Sequence, residues 1–124
     1  MRNERGVTLI EMLVVVTIIG LFTGLIGVRY FSHVEKAKRT AAATQLNSFN
    51  TALASYYAEH SKYPTAQEGL ASLRPYLMNE IPLDPWAHPY VYELTPRNEP
   101  RVISLGADGV PGGDGNNADM FSWK

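Results

Sequence analysis

Residues 7–28 read VTLIEMLVVVTIIGLFTGLIGV, and this stretch decides the fold. From Met12 to Val28 it contains no charged side chain. At a helical rise of about 1.5 Å per residue, the stretch extends roughly 33 Å, which is enough to cross the hydrocarbon core of a bilayer. We therefore predict a transmembrane helix over residues 7–28.

A cleaved secretory signal peptide is the alternative for this segment, because a basic start precedes it and the small residues Ala41-Ala42-Ala43 follow it. It fits less well, since the apolar stretch is long for such a peptide and the small residues lie beyond Lys36, Lys38 and Arg39. Basic residues stand on both sides of the span, so their distribution leaves the orientation in the membrane open.

The helical pattern continues after the span. Residues 29–59 contain neither proline nor glycine, and apolar side chains recur at intervals of three and four: Ala42, Leu46, Phe49, Leu53 and Tyr56. This spacing places them on one face of a helix. We predict a nearly continuous helix over residues 7–59, ended by Tyr63-Pro64, with its second half packed under a small head.

The remaining chain predicts short elements. Thr65 and Glu68 form a capping-box pattern at the start of a helix over residues 66–76. Strand-like segments follow at 90–94 and 101–105, joined by a turn at 96–100, and Asp84-Pro85 indicates a further turn. Tyr63, Trp86, Phe121 and Trp123 are expected to pack in the head. The fold class is therefore α+β, a long N-terminal helix against a small antiparallel sheet.

Composition excludes several functions. With 124 residues and a net charge of -1, the chain lacks the basic patch of a nucleic-acid-binding protein. It has no cysteine, which removes disulfides, thiol catalysis and the common zinc sites. His33, His60 and His88 are scattered rather than grouped with a nucleophile, so no enzyme is predicted. A small head without disulfides needs another brace, such as a metal ion or neighbouring subunits.

Glu11 is a carboxylate at the edge of the apolar helix. At the centre of a bilayer it would cost roughly 2.5 to 3.5 kcal/mol, and less near the end. If the chain is cut after Gly6, the new amine of Val7, or that of a neighbouring subunit, neutralises Glu11 and sets the register of assembly. Alternatively, Glu11 only stabilises the positive end of the helix dipole. The residues alone leave both interpretations open.

Near the C-terminus, residues 104–119 read SLGADGVPGGDGNNAD, which combines oxygen donors with glycines. Carboxylates, amides and backbone carbonyls in a flexible loop are the ligands that calcium prefers. The acid spacing is not that of an EF-hand. Asp108-Gly109 and Asp114-Gly115 are also ordinary turn dipeptides, so a loop without any ion remains an alternative.

The segment RGVTLIEMLVVV, residues 5–16, resembles the class III signal of type IV pilins and pseudopilins. The resemblance implies a cytoplasmic leader (residues 1–6), cleavage between Gly6 and Val7 with N-methylation of Val7, and an assembly role for Glu11. It places residues 7–28 in the membrane and the head, residues 29–124, on the outer side of the inner membrane. Val7 and Val28 depart from the phenylalanine and proline usual in the family, and the absence of the proline puts the helix kink associated with it in doubt.

Residues 104–109, with Tyr63-Pro64-Thr65, Glu68-Gly69-Leu70 and Pro82 to Trp86, are similar to signatures of the major pseudopilins of type II secretion systems. The resemblance extends over nearly the whole chain. It implies one bound Ca²⁺, with ligands from Leu105, Asp108, Val110, Asn117 and Asp119, and with Asp114 as the substitute if the Asn117 amide fails.

What the resemblance implies about function is structural. The subunit polymerises with itself into a periplasmic pseudopilus that drives export of folded proteins across the outer membrane. Its expected partners are membrane lipid before assembly, minor pseudopilins, the inner-membrane assembly platform and the prepilin peptidase that also methylates it. The alternatives are a minor pseudopilin, which generally lacks the loop, and a major type IV pilin, which commonly carries a disulfide.

Overall fold

A computed structural model describes residues 6–122 and divides the chain into two compact units that meet between Glu35 and Lys36. The elements are helix α1 (Leu9–His60), a 3₁₀ helix (Gly69–Tyr76), strands β1 (Val91–Leu94) and β2 (Pro100–Ser104), a short 3₁₀ helix (Gly115–Asn117) and strand β3 (Met120–Phe121). This confirms the predicted α+β class and the long N-terminal helix. The membrane boundary at residue 28 stays a prediction.

In the N-terminal unit, the apolar side chains of α1 are exposed. Leu9 is 86% and Phe22 is 61% exposed, and the most apolar window of the helix is long enough to cross a membrane. The hydroxyls of Thr17 and Thr23 each donate to the carbonyl four residues earlier, at 2.7 Å. Both polar groups are therefore satisfied within the helix, as a lipid environment requires.

In the second compact unit, which begins at Lys36 and is called the head from here on, α1 supplies the predicted stripe. The buried residues of the stripe are Ala42, Leu46, Phe49, Ala52, Leu53 and Tyr56. All of these except Ala42 pack with Leu73, Tyr90 and Val102 in one core cluster. The helix ends because Ser61 adopts a left-handed conformation (φ 56°) and its N–H donates to the carbonyl of Tyr57 at 2.8 Å.

The predicted capping box is present, and the helix predicted over residues 66–76 is present from Gly69 to Tyr76 as a 3₁₀ helix. The N–H of Thr65 donates to Glu68 Oε2 at 2.9 Å, and the N–H of Glu68 donates to Thr65 Oγ1 at 3.2 Å. The backbone hydrogen bond from Thr65 lowers the pKa of Glu68. The predicted start at residue 66 is wrong, because Gly69 has φ +56°, outside the helical region, and so prevents a continuous helix through it. The regular element begins only at Gly69 and is a 3₁₀ helix.

The sheet is antiparallel in the order β1-β2-β3. Val91 pairs with Ile103 and Leu94 with Pro100, close to the predicted strands and turn. Burial raises the pKa of Tyr92 to about 12, and its hydroxyl donates to the carbonyl of Pro64 at 2.7 Å. This bond ties β1 to the segment that follows α1.

Strand β3 was not predicted. It pairs Met120 with Ser104, which turns Met120 toward the core cluster and Phe121 away from it. The prediction that Phe121 is a packing anchor is therefore wrong: it is 44% exposed, with the guanidinium of Arg101 5.4 Å above its ring centre. Trp123 lies outside the described residues. Tyr63 packs against the core as expected, whereas Trp86 is only half-buried and lies outside the core cluster.

Candidate functional site

The N-terminal site residues precede or open helix α1. Gly6 and Val7 are exposed and lie before Leu9, where the helix begins. The N–H of Thr8 donates to Glu11 Oε2 at 3.4 Å, and the N–H of Glu11 donates to Thr8 Oγ1 at 3.2 Å. This reciprocal capping box agrees with the helix-end interpretation of Glu11. The Thr-x-x-Glu spacing in the sequence was a signal that our sequence analysis missed. Pairing of Glu11 with an amine stays a prediction.

The C-terminal loop, defined as residues 105–119, folds back on itself around two glycines. A Cβ at Gly106 (φ +73°) would lie 2.9 Å from the carbonyl oxygens of Asn117 and Ala118. A Cβ at Gly113 (φ +94°) would lie 2.8 Å from the carbonyl oxygen of Asn117. The backbone of Asn117 is thus in close contact with both glycines, which no other residue type permits without displacement.

Two of the predicted calcium ligands have their carboxylates engaged within the loop. Asp108 Oδ1 accepts from the N–H of Val110 at 3.2 Å, and Asp119 Oδ2 accepts from the N–H of Gly112 at 3.0 Å. Asp119 Oδ1 is buried and has no hydrogen-bond partner among the described residues. A buried carboxylate oxygen without a partner is costly, and a cation or an ordered water molecule would satisfy it.

Of the other predicted ligands, Leu105 precedes the two aspartates in the sequence and the rest lie between them. Leu105 is half-buried, while Val110, Asp114 and Asn117 are exposed, and the N–H of Asn117 donates to the carbonyl of Asp114 at 3.0 Å. Within residues 6–122, no three His, Cys, Asp or Glu side chains lie together as a metal site. An ion here would therefore depend on two carboxylates with amide and carbonyl oxygens, a donor set that calcium accepts. Calcium binding stays a prediction.

A buried carboxylate outside the loop is hydrogen-bonded to Ser104, the residue that precedes the loop. Asp84 is 3% exposed, and its Oδ1 accepts from the N–H groups of Trp86 (3.1 Å) and His88 (2.8 Å). Its Oδ2 accepts from the hydroxyl of Ser104 at 2.8 Å. The turn predicted at Asp84-Pro85 is thus confirmed, and it is joined to the end of β2.

Two further side chains hold the C-terminal loop from outside. His88 Nδ1 donates to the carbonyl of Gly106 at 3.2 Å, and its ring would meet a Cβ at Gly109 at 2.9 Å. From α1, Arg39 Nη1 donates to the carbonyls of Gly115 (3.0 Å) and Ala118 (3.3 Å). Sequence reasoning missed both residues. His88 points its nitrogen at a backbone carbonyl and the hydroxyl of Ser104 donates to a carboxylate, so these groups do not form a nucleophile–base pair.

Two models of known families match this chain, and together they cover nearly all of it. The family model for type II secretion system protein G matches residues 29–123, and the model for the prokaryotic N-terminal methylation motif matches residues 1–27. This chain belongs to the type II secretion system protein G family.

Relatives in the protein G family match over most of their length. The chain is 34% identical to the type II secretion system core protein G of Pseudomonas aeruginosa, with 98% of this chain and 96% of the relative covered. It is 35% identical to the same protein of Vibrio cholerae, with 100% and 94% covered. It also resembles the crystal structure of the major pseudopilin from the type 2 secretion system of enterohaemorrhagic Escherichia coli, with TM-score 0.62, 25% identity, and 75% and 92% of the two chains covered.

Proposed function

We propose that this chain is a major pseudopilin, a structural subunit that polymerises with itself into the periplasmic pseudopilus of a type II secretion system and so drives export of folded proteins across the outer membrane. The observation that carries the proposal is the succession of a methylation motif over residues 1–27 and a protein G match over residues 29–123. The protein G match and the likeness to the major pseudopilin of Escherichia coli favour this interpretation over the alternatives, a minor pseudopilin or a major type IV pilin.

The exposed apolar side chains of α1 in the N-terminal unit support polymerisation. A helix that is apolar over its whole surface requires an apolar environment. Membrane lipid provides this environment before assembly, and the same segments of other copies provide it within a filament. Minor pseudopilins and the inner-membrane assembly platform are the further partners we propose.

Processing is the first step in the proposed function. The prepilin peptidase would cut between Gly6 and Val7, in the non-helical segment ahead of Leu9, and methylate the amine of Val7. The leader would then be cytoplasmic, the span would cross the inner membrane once, and the head would lie in the periplasm. The only covalent chemistry proposed acts on this chain as a substrate.

Glu11 would change partners on assembly. In the subunit its carboxylate receives the N–H of Thr8 at 3.4 Å, which is longer than the 2.9 Å of the equivalent bond in the Thr65–Glu68 box. A long hydrogen bond is weak, so exchanging it for the charged amine of Val7 from a neighbouring copy would gain more than it loses.

The C-terminal loop would hold one Ca²⁺. Asp108 and Asp119 would supply carboxylate oxygens, Leu105 and Val110 carbonyl oxygens, and Asn117 an amide oxygen, with Asp114 as its substitute. The unpartnered Oδ1 of Asp119 supports this donor set. When bound, the ion would cross-link the two halves of the loop and so stabilise a head that has no disulfide.

N-terminal mass spectrometry of the protein isolated from membranes tests the proposed function. We expect a chain that begins at Val7 with one added methyl group. Gly6→Leu should leave the chain intact from Met1 because the peptidase requires the small residue. A native chain that starts at Met1, or one cut near Ala43, would contradict the proposal.

A further inference from the structure

Arg39 makes a long-range contact from helix α1 to the C-terminal loop. It is half-buried, lies in the same compact unit as the loop, and belongs to neither the apolar stripe nor the predicted ligand set. Its Nη1 donates to the carbonyls of Gly115 and Ala118, which are 76 and 79 residues away in sequence.

These two carbonyls lie at the short 3₁₀ helix near the end of the loop, one in its first residue and one in the residue that follows it. The carbonyl of Gly115 accepts from the N–H of Ala118 at 3.3 Å as well as from Arg39, so Arg39 adds a second hydrogen bond to this short turn. The carbonyl of Ala118 also belongs to the peptide group that precedes Asp119. Fixing this oxygen fixes the plane of that peptide.

The same peptide group is packed tightly on its other side. The carbonyl oxygen of Ala118 would lie 2.9 Å from a Cβ at Gly106. The carboxylate of Asp119 then reaches across to the N–H of Gly112 through Oδ2 and leaves Oδ1 buried without a partner among residues 6–122. Arg39 and Gly106 together therefore fix the backbone position from which the Asp119 side chain extends.

We propose that Arg39 is a positioning residue for cation binding by the C-terminal loop. It holds the carbonyls of Gly115 and Ala118, and through them orients the Asp119 carboxylate toward the ion. This inference rests on the proposed calcium site and adds to it a residue that contributes no ligand oxygen.

The sign of the effect makes the inference testable. A positive charge close to a cation site opposes binding by Coulomb repulsion, so removing Arg39 would by charge alone strengthen calcium binding. Positioning has the opposite effect, because without Arg39 two carbonyls lose a charged donor and the peptide before Asp119 is free to rotate. The geometry favours positioning as the larger effect, since Arg39 makes two hydrogen bonds to the loop.

The experiment measures the calcium dissociation constant of the full chain in detergent micelles, by calorimetric titration with calcium alone, well below the melting temperature. We expect Arg39→Met to weaken binding about tenfold, the size associated with losing hydrogen bonds to a charged group. Arg39→Lys, which keeps the charge but not the planar donor group, should fall between wild type and Arg39→Met. Lys36→Met removes one exposed positive charge from the same helix and is the matched control, with binding unchanged or slightly tighter.

Hydrogen exchange in chelator separates this inference from the calcium proposal. Arg39→Met should accelerate exchange at the N–H groups of Ala107, Asn117 and Ala118 even without the ion, while Lys36→Met should not. Unchanged exchange, or calcium binding that is equal or tighter in Arg39→Met, would overturn the positioning role. If the wild type binds no calcium at all, the calcium proposal fails and takes with it any effect of Arg39 on binding, whereas the exchange rates still decide whether Arg39 orders the loop.

Discussion

Phe22 and Phe49 lie on the same helix in opposite surroundings. Phe22, in the N-terminal unit, is 61% exposed, whereas Phe49, in the head, is 1% exposed. The head covers Phe49 with side chains from other elements, including Tyr90, whose ring centre is 5.0 Å away. In the proposed function, lipid or other copies of the chain would cover the apolar surface around Phe22. One helix thus carries two kinds of stability, one that the chain provides for itself and one that depends on its environment.

The largest effect we predict concerns the N-terminal unit alone, whose stability depends on its environment. Glu11→Leu should abolish filament formation and secretion almost completely, because it removes the carboxylate that we propose pairs with a neighbouring amine. Processing, membrane insertion and the melting temperature of the head should not change. Filaments are counted by electron microscopy and secretion by the export of a reporter.

Glu11→Gln is the matched control for that prediction. It keeps an oxygen that accepts from Thr8 but carries no charge. Filaments made normally by Glu11→Gln would show that the capping box, rather than charge pairing, is the role of Glu11.

The second prediction compares the two phenylalanines directly. Phe49→Ala should reduce the free energy of unfolding of the head by about 3–5 kcal/mol, since it leaves a cavity in the core. Phe22→Ala should leave that free energy unchanged. Denaturant unfolding of both variants in detergent, followed by near-ultraviolet circular dichroism, measures the difference. Equal losses would mean that the head and the N-terminal unit share one stability.

The third prediction concerns the C-terminal loop, which we propose stabilises the head through a bound ion. At calcium a hundred times above its dissociation constant, binding adds about 2.7 kcal/mol to folding. Asp108→Ala should therefore lower the melting temperature in calcium and change little in chelator. Magnesium should replace calcium poorly because it demands octahedral geometry and dehydrates reluctantly.

Asp114→Ala is the control for the loop, because it tests whether the substitute ligand is used. If Asn117 fills the position, Asp114→Ala melts like the wild type in calcium. If the wild type melts at one temperature with calcium and with chelator, the loop is only a set of turns.

The smallest predicted effect is a gain in the head. Ala87 has φ +64°, in the left-handed region, and its N–H donates to the carbonyl of Asp84 at 2.9 Å. This conformation costs a residue with a Cβ about 1–2 kcal/mol. Ala87→Gly should therefore raise the unfolding free energy by about 1 kcal/mol. Asn98→Gly, at φ +61°, should gain less, because asparagine tolerates this region. Equal gains at both positions would contradict the explanation.

Sequence predicted the elements whose signals are local. The span, the stripe from Ala42 to Tyr56 and both early strands follow from periodicity within a few residues. The type of the second helix was missed because one backbone angle at Gly69 overrides the capping box before it. Strand β3 has only two residues and exists because β2 pairs with it, so its alternation, which exposes Phe121, was not visible in the sequence.

The candidate site divides in the same way. Its donors were recognisable as a cluster of Asp, Asn and Gly within residues 105–119. Arg39 and His88 hold the loop through backbone carbonyls, and Asp84 accepts from the buried hydroxyl of Ser104, the residue before the loop. Neither kind of contact leaves a trace in the sequence. A side chain that binds a backbone carbonyl distant in sequence has no partner residue type to search for.

The two ends of the loop are joined independently of its interior. Ser104 pairs with Met120 across β2 and β3, and just beyond, the carbonyl of Ser122 accepts from Asn50 Nδ2 at 2.7 Å. Because the ends are fixed, an insertion at the exposed tip near Pro111 and Gly112 leaves the strand pairing intact. It adds the entropy of a longer closed loop, about 0.6 kcal/mol for each doubling of length, and costs the contacts within the loop that it displaces, such as the bond from Gly112 to Asp119. Evolution can therefore lengthen or shorten this loop, and change what it binds, without altering the register of the sheet beneath it.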